Sequence, residues 1–202
     1  MKKYILIAGV NGAGKSTLFH VLDELKNMPR VNTDDIVKKI GEWNNASDVF
    51  NAGKQAVKMI DNYFSEGITF NQETTLCGNN ILKNIKKAKR LGYYVEVHYV
   101  GVENVEIAKK RVTHRVSVGG HGIPDRDIER RYIETFTNLN KIIFECDRIA
   151  FYDNTTNFQR FAILEDKELV TIIKNIPKWF ENVNLKRGNV EMHFSFLCGK
   201  IS

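Results

Sequence analysis

Apolar and polar positions follow two rhythms along the chain, and the switches between them predict alternating strands and helices. Tyr4 to Ala8 is an unbroken apolar run of strand length, expected to lie in the middle of a sheet. Leu18, Phe19, Leu22 and Leu25 then recur at helical spacing, with Pro29 beyond the helix end and a short Arg30 to Asn32 strand after it. Between Ser47 and Glu66, Phe50, Ala56, Val57, Ile60, Tyr63 and Phe64 mark one face of a helix that Gly67 closes. Ile68 to Gln72 is the next strand, and Ile81, Leu82, Ile85, Ala88 and Leu91 define the next helix. Tyr93 to Val100 is a strand, and the helix from Glu103 to Val118 stops at Gly119 and Gly120. Pro124 opens a further helix with Ile128, Tyr132, Ile133, Phe136 and Leu139 on one stripe, and Ile149 to Tyr152 is a last core strand. The remainder, about 155–202, reads as peripheral: a hairpin of Phe161 to Leu164 and Leu169 to Ile173, and Trp179 and Phe180 capping a core edge.

Strands that alternate with helices predict an α/β fold, three layers with a mostly parallel sheet covered on both faces. At 202 residues, 43% hydrophobic and 27% charged, the chain is expected to form one domain with a full core. Thirty Lys and Arg against 24 Asp and Glu give +6, which favours anionic partners without choosing among them. The N-terminal MKKYILIAGV is too short and lacks a cleavage site for a signal peptide, and no segment has the roughly 18 apolar residues of a membrane span. The expected location is therefore the cytoplasm. Cys77, Cys146 and Cys198 are odd in number and without metal-ligand spacing, so free thiols are expected.

Gly9-Val10-Asn11-Gly12-Ala13-Gly14-Lys15-Ser16 satisfies G-x-x-x-x-G-K-[ST] between an apolar strand and an amphipathic helix. In that context glycines let successive N–H groups turn inward around phosphate oxygens, and the following helix adds its positive end. Lys15 is expected to reach the β- and γ-phosphates of ATP or GTP, and the Ser16 hydroxyl to coordinate Mg²⁺. Switches, motors and kinases share this loop. The chain has neither the Asn-Lys-x-Asp nor the Asp-x-x-Gly string of a GTPase switch, which raises the kinase branch.

Two segments fall where open α/β sheets hold their ligands, at the carboxyl ends of strands. In Asn32-Thr33-Asp34-Asp35-Ile36, Asp34 can accept a proton from an attacking hydroxyl; alternatively Thr33 or Asp34 merely caps the next helix. Glu73-Thr74-Thr75 can orient an acceptor or reach the metal through water, or be a plain charged strand end. A lid at about 111–132 has a Gly-Gly hinge between helices bearing Arg111, Arg115, Arg130 and Arg131, which are expected to meet the γ-phosphate when it closes; His121 reads as a hinge or cap.

N-x-D-x-I at Asn32 to Ile36, E-T-T-L at Glu73 to Leu76, G-G-H-x-I-P at Gly119 to Pro124, R-R-Y at Arg130 to Tyr132 and Y-D-N at Tyr152 to Asn154, together with the loop, resemble the zeta toxin family from about residue 3 to 180. The resemblance implies a P-loop kinase fold and an ATP- or GTP-dependent kinase that phosphorylates UDP-N-acetylglucosamine on a sugar hydroxyl. It also implies a cognate antitoxin that blocks the nucleotide site. It assigns Asp34 as base, Glu73 and Thr75 as acceptor-site residues, Arg115 with Arg130 or Arg131 as phosphate-binding arginines, and Thr17 and Asn154 as further nucleotide contacts. Two other readings remain open at this point: a nucleic-acid end kinase gripping its substrate with Lys86 to Arg90, and a nucleotide-dependent binding module without catalysis.

Overall fold

The computed structural model describes residues 1–173 and 175–186 and the backbone of 191–194. Eight strands form one sheet in the order β2-β3-β1-β4-β5-β6-β7-β8: β1 Lys3–Ala8, β2 Arg30–Val31, β3 Phe70–Thr74, β4 Tyr94–Gly101, β5 Arg148–Asp153, β6 Gln159–Glu165, β7 Glu168–Thr171 and β8 Glu191–Phe194. The first five are mutually parallel, with β1 between β3 and β4 in the register Ile5–Asn71 and Ile5–Glu96. β6 pairs antiparallel with β5 and β7 antiparallel with β6, so β6 alone runs against the rest, and β8 pairs parallel with β7.

The helices are α1 Lys15–Val21, α2 Asp23–Lys26, α3 Thr33–Ile40, α4 Ala46–Glu66, α5 Asn80–Arg90, α6 Val105–Ser117 and α7 Asp125–Ile142, followed by a 3-10 turn at Lys178–Asn182. Alternate residues of each central strand feed opposite faces. Tyr4, Leu6, Val95, Val97 and Phe151 meet α4, α5 and the later turns of α7, while Ile5, Ile7, Val100 and Ala150 meet α1, α2 and α6. The result is the three-layer α/β fold that the alternation predicts. The 21-residue α4 ends on Gly67, as expected.

Three sequence readings are corrected. The region after β5 is not peripheral: β6 and β7 extend the main sheet, joined by a two-residue turn in which Asp166 and Lys167 both have positive φ. That turn twists the strands as a tight hairpin requires. Trp179 does not cap an edge; it is 1% exposed, among Tyr99, Phe136 and Phe161. The helix after the phosphate loop breaks at Leu22, whose extended backbone separates α1 from α2. Part of the tail reading, Cys198 included, lies outside the described residues.

Candidate active site

The loop between β1 and α1 sits at the carboxyl edge of the sheet because β1 is its central strand. Gly9, Gly12 and Gly14 all have positive φ. A Cβ at Gly9 or Gly12 would strike a backbone carbonyl, and one at Gly14 the Asn154 amide. Asn154, just past β5, donates from Nδ2 to the Ala13 carbonyl at 2.8 Å, so the far side of the loop is tied to the next parallel strand but one. Lys15 is buried and donates from Nζ to the Val10 carbonyl at 3.1 Å, which folds its chain back across the loop. Burial pushes the Lys15 ammonium below its ordinary pKa; Glu73 and Asp34 pull it up, and Arg115 and Arg131 push it further down.

Two clefts meet here. The smaller, about 290 Å³, runs along the loop past Asn11, Gly12, Gly14, Ser16, Thr17, Arg111, Arg115 and Asn154. The larger, about 880 Å³, opens between α3, the segment after β3 and the start of α7, and is walled by Val37, Trp43, Thr75, Cys77 and Ile123. Four side chains line both: Asn11, Lys15, Asp34 and Glu73. A lysine and two carboxylates thus stand at the only doorway the two clefts share among the described residues.

Each member of that doorway is held by a local reason. Asn32 accepts from the Asp34 N–H at 2.9 Å and so caps α3, a role the sequence left to Thr33 or Asp34. The Asp34 carboxylate, freed from capping, faces the clefts with His121 Nε2 3.8 Å from its Oδ1. Burial lowers the His121 pKa, against the pull of Asp34. The Asn32 amide also donates to Glu73 Oε2 at 3.3 Å, and Arg30 binds the same oxygen at 2.6 Å. That leaves Glu73 Oε1 turned toward Lys15 Nζ, 4.0 Å away. The second Arg30 arm takes Asp35 at 3.3 Å, and the guanidinium lies 3.8 Å from the Phe19 ring centre. Asp35 is therefore committed to Arg30 while Asp34 is not.

The segment after β3 is set from α7. Leu76 is buried at φ 59°, an uncommon conformation for a non-glycine residue. It is held there by the Thr74 hydroxyl accepting from its N–H at 3.0 Å and by Asn138 donating to its carbonyl at 2.6 Å. Glu134 accepts from the Gly78 N–H at 2.7 Å. These contacts present Thr75 and Cys77 to the larger cleft, and burial raises the Cys77 thiol pKa.

The arginines divide. Arg131 donates to Asn11 Oδ1 at 3.0 Å, so α7 is clasped to the loop. Arg130, half exposed, pairs with Asp127 and Glu134 at the mouth of the larger cleft. Arg115 lines the smaller cleft, and its buried Nε and Nη2 have no hydrogen-bond partner; Arg111 lines it too, with Nη1 likewise orphaned. A Cβ on Gly120 would meet the Arg115 stem, so this glycine lets the turn close against it. The sequence pattern predicts a Gly-Gly hinge whose closure delivers the arginines; here Arg131 already bonds the loop, and Arg111 and Arg115 already line its cleft. Two cleft-lining arginines with unsatisfied buried donors fit an anionic ligand, since such donors are otherwise costly. Sequence reasoning did not single out Arg30, Asn32 as cap and carboxylate partner, or Trp43, whose ring lies 5.3 Å from that of His121. An arginine on a two-residue strand carries no pattern that would have flagged it.

Comparisons with known proteins bear on the family and the fold. A Haemophilus influenzae protein described as uncharacterized is 35% identical over 130 residues, covering 64% of this chain and 92% of its own. Among solved structures, the AvrRxo1-ORF1:AvrRxo1-ORF2 complex with sulphate ions superposes with a TM-score of 0.71 at 13% identity, over 92% of this chain but 65% of that one. The same complex with ATP gives 0.65 at 13% identity, over 82% of this chain and 59% of that one. The PezAT toxin-antitoxin system of Streptococcus pneumoniae gives 0.58 at 18% identity, over 78% and 71% of the two chains. The sequence model of the zeta toxin family matches residues 1–175, from β1 through β7, and the chain belongs to that family.

Proposed function

We propose that this protein is a nucleoside-triphosphate-dependent phosphotransferase that moves a γ-phosphoryl group onto a hydroxyl of a small molecule, with UDP-N-acetylglucosamine as the first acceptor to test. One observation carries the reading: the phosphate-loop cleft and a larger neighbouring cleft share Lys15, Asp34 and Glu73. Phosphoryl transfer needs such a junction, a cation where the γ-phosphate sits and a carboxylate where the acceptor oxygen arrives.

In this reading the loop N–H groups and Lys15 bind the triphosphate, in either ATP or GTP. Asp34 takes the proton of the acceptor hydroxyl as its oxygen attacks phosphorus. Arg115 and Arg131 face the charge that spreads over the transferring group. Glu73, anchored by Arg30 and Asn32, orients the acceptor beside Thr75, and Asn154 and Thr17 complete the nucleotide site. The donor set beside the loop suits Mg²⁺: the Ser16 hydroxyl and the two carboxylates are hard oxygen ligands, and an ion that keeps water and phosphate oxygens needs few of them. When bound it would neutralise phosphate charge at Ser16. The basic side of α5 argues against a nucleic-acid substrate there. Lys87 and Lys89 are paired with Asp61 and Asp147, and they lead into β4 at the amino edge of the sheet, opposite the loop. An antitoxin partner is part of the proposal, on family membership and the PezAT likeness.

Incubation with γ-labelled ATP and a metabolite panel should transfer label to a small molecule. Lys15→Ala, which deletes the cation for the β- and γ-phosphates, should abolish that transfer. Label that goes only to water, or equal transfer by a folded Lys15→Ala protein, would remove the proposal.

A further inference from the structure

The family match ends at residue 175, yet the next tryptophan reaches the nucleotide cleft through a continuous relay. Trp179 is buried, and its indole is pressed so closely on Gly101 that a Cβ at that position would overlap the ring. Its Nε1–H donates to Asp153 Oδ1 at 2.8 Å. The same oxygen accepts from the Thr155 hydroxyl at 2.7 Å, and that hydroxyl in turn accepts from the Glu103 N–H at 3.1 Å. The Thr155 carbonyl receives Arg111 Nη2 at 3.3 Å; Arg111 lines the phosphate-loop cleft, and its buried Nη1 has no partner. Between Asp153 and Thr155 stands Asn154, whose N–H is bound by the Gly101 carbonyl at 3.0 Å and whose side chain holds Ala13. A single buried carboxylate therefore holds the side chain of Thr155, the residue that follows the brace of the loop and whose carbonyl receives Arg111.

We infer that Trp179 is a positioning residue for nucleotide binding, acting through Asp153 on the 153–155 turn, and so on the phosphate loop and Arg111. An aromatic ring that only filled the core would need no donor toward the site. The indole N–H, by contrast, is one of two hydrogen bonds to the Asp153 side chain among the described residues, and the one that comes from outside the 153–155 turn.

Trp179→Phe keeps most of the ring and deletes the N–H, and Phe180→Leu is the control. Phe180 sits on the same 3-10 turn, packs on Phe151 and Phe161 and makes no polar side-chain contact toward the turn. Hydrogen exchange in the free full-length protein is the first readout. Trp179→Phe should speed exchange about five- to tenfold at the Glu103 and Asn154 amides and across residues 9–17, the scale of one lost hydrogen bond. Phe180→Leu should not. Nucleotide affinity, measured by calorimetry with ATP, should fall by a similar factor in Trp179→Phe alone. The affinity arm rests on the phosphotransferase reading, whereas exchange in the free protein does not, so a wild type that fails to bind ATP would sink that reading and leave the relay to be judged by exchange. Should Trp179→Phe not fold, Thr155→Val severs the next link and is expected to give the same exchange pattern. Wild-type exchange in the folded relay variant, or an identical pattern in Phe180→Leu, would reduce Trp179 to core packing.

Discussion

Adjacent side chains of one type can have unrelated fates, and two pairs in this protein allow that to be measured. Asp34 and Asp35 are neighbours on the first turn of α3, yet Arg30 occupies Asp35 while Asp34 faces the shared doorway of the clefts. If Asp34 is the general base, Asp34→Asn should lower phosphoryl transfer by about 10² or more and leave ATP affinity within a few fold. Asp35→Asn should cost activity far less, since it only loosens Arg30, which keeps Glu73. Steady-state rates on both variants decide the register. Arg130 and Arg131 make the second pair. Removing Arg131 takes a guanidinium from Asn11 in the loop, and kcat should fall on the order of 10²-fold if it stabilises the transferring group. Arg130→Ala removes exposed pairs with Asp127 and Glu134, typically worth under about 1 kcal/mol, and should leave ATP turnover nearly intact. Equal kinetic damage from the two variants would mean that the inward contact of Arg131 is not what matters.

At the scale of elements, the glycines show where backbone shape serves binding and where it serves only folding. Gly14 and Gly67 both have left-handed backbones, so alanine at either should cost roughly 1 kcal/mol of stability. Around Gly67 a Cβ meets nothing, whereas at Gly14 it meets the Asn154 amide that holds Ala13. Gly67→Ala should therefore shift only the melting temperature, and Gly14→Ala should in addition weaken ATP binding at least tenfold, as read by calorimetry on the two folded variants. Both glycines were visible in the sequence for the same reason: each stands where a regular element must stop or turn. So were β1, α4 and the acidic ends of β2 and β3, because long apolar periods and fixed motif spacings are local signals. The start of α3 is legible but its extent is not, given its shortness and TDDIVKKI polarity, and its cap falls one or two positions before the Thr33 or Asp34 that the sequence offers because Asn, Thr and Asp in succession all qualify. The membership of β6 and β7 in the main sheet could not be read locally, since a hairpin pattern says nothing about which strand it pairs with. Trp179 was legible as an apolar residue but not as a donor to Asp153, a partner 26 positions away.

For the molecule as a whole, the sheet must hold β1, β4 and β5 in register for the loop and its Asn154 brace to coincide, and one buried carboxylate joins all three strands. Glu96 on β4 is 4% exposed, with Lys3 of β1 at 3.6 Å, Arg148 of β5 bonded to Oε1 and His98 at 3.3 Å. Burial alone would raise its pKa; His98 and Arg148 outweigh that and bring it from 4.5 down to about 2. A carboxyl whose folded pKa lies below its unfolded value adds stability that is fully present above the unfolded value and is lost as pH falls toward the folded one. Glu96 should therefore contribute its full share at neutral pH and surrender it between about 4.5 and 2, a change on the order of 3 kcal/mol. Glu96→Gln removes the titration and leaves Lys3 and Arg148 facing an uncharged amide. Urea unfolding of wild type and Glu96→Gln should then differ by a few kcal/mol at pH 7, and the gap should close as pH falls through that window while other carboxylates titrate alike in both proteins. A difference that stays constant from pH 6 to pH 2 would show that Glu96 stabilises the sheet without being held as an anion, and that the three strands are kept in register by packing on the two apolar faces alone.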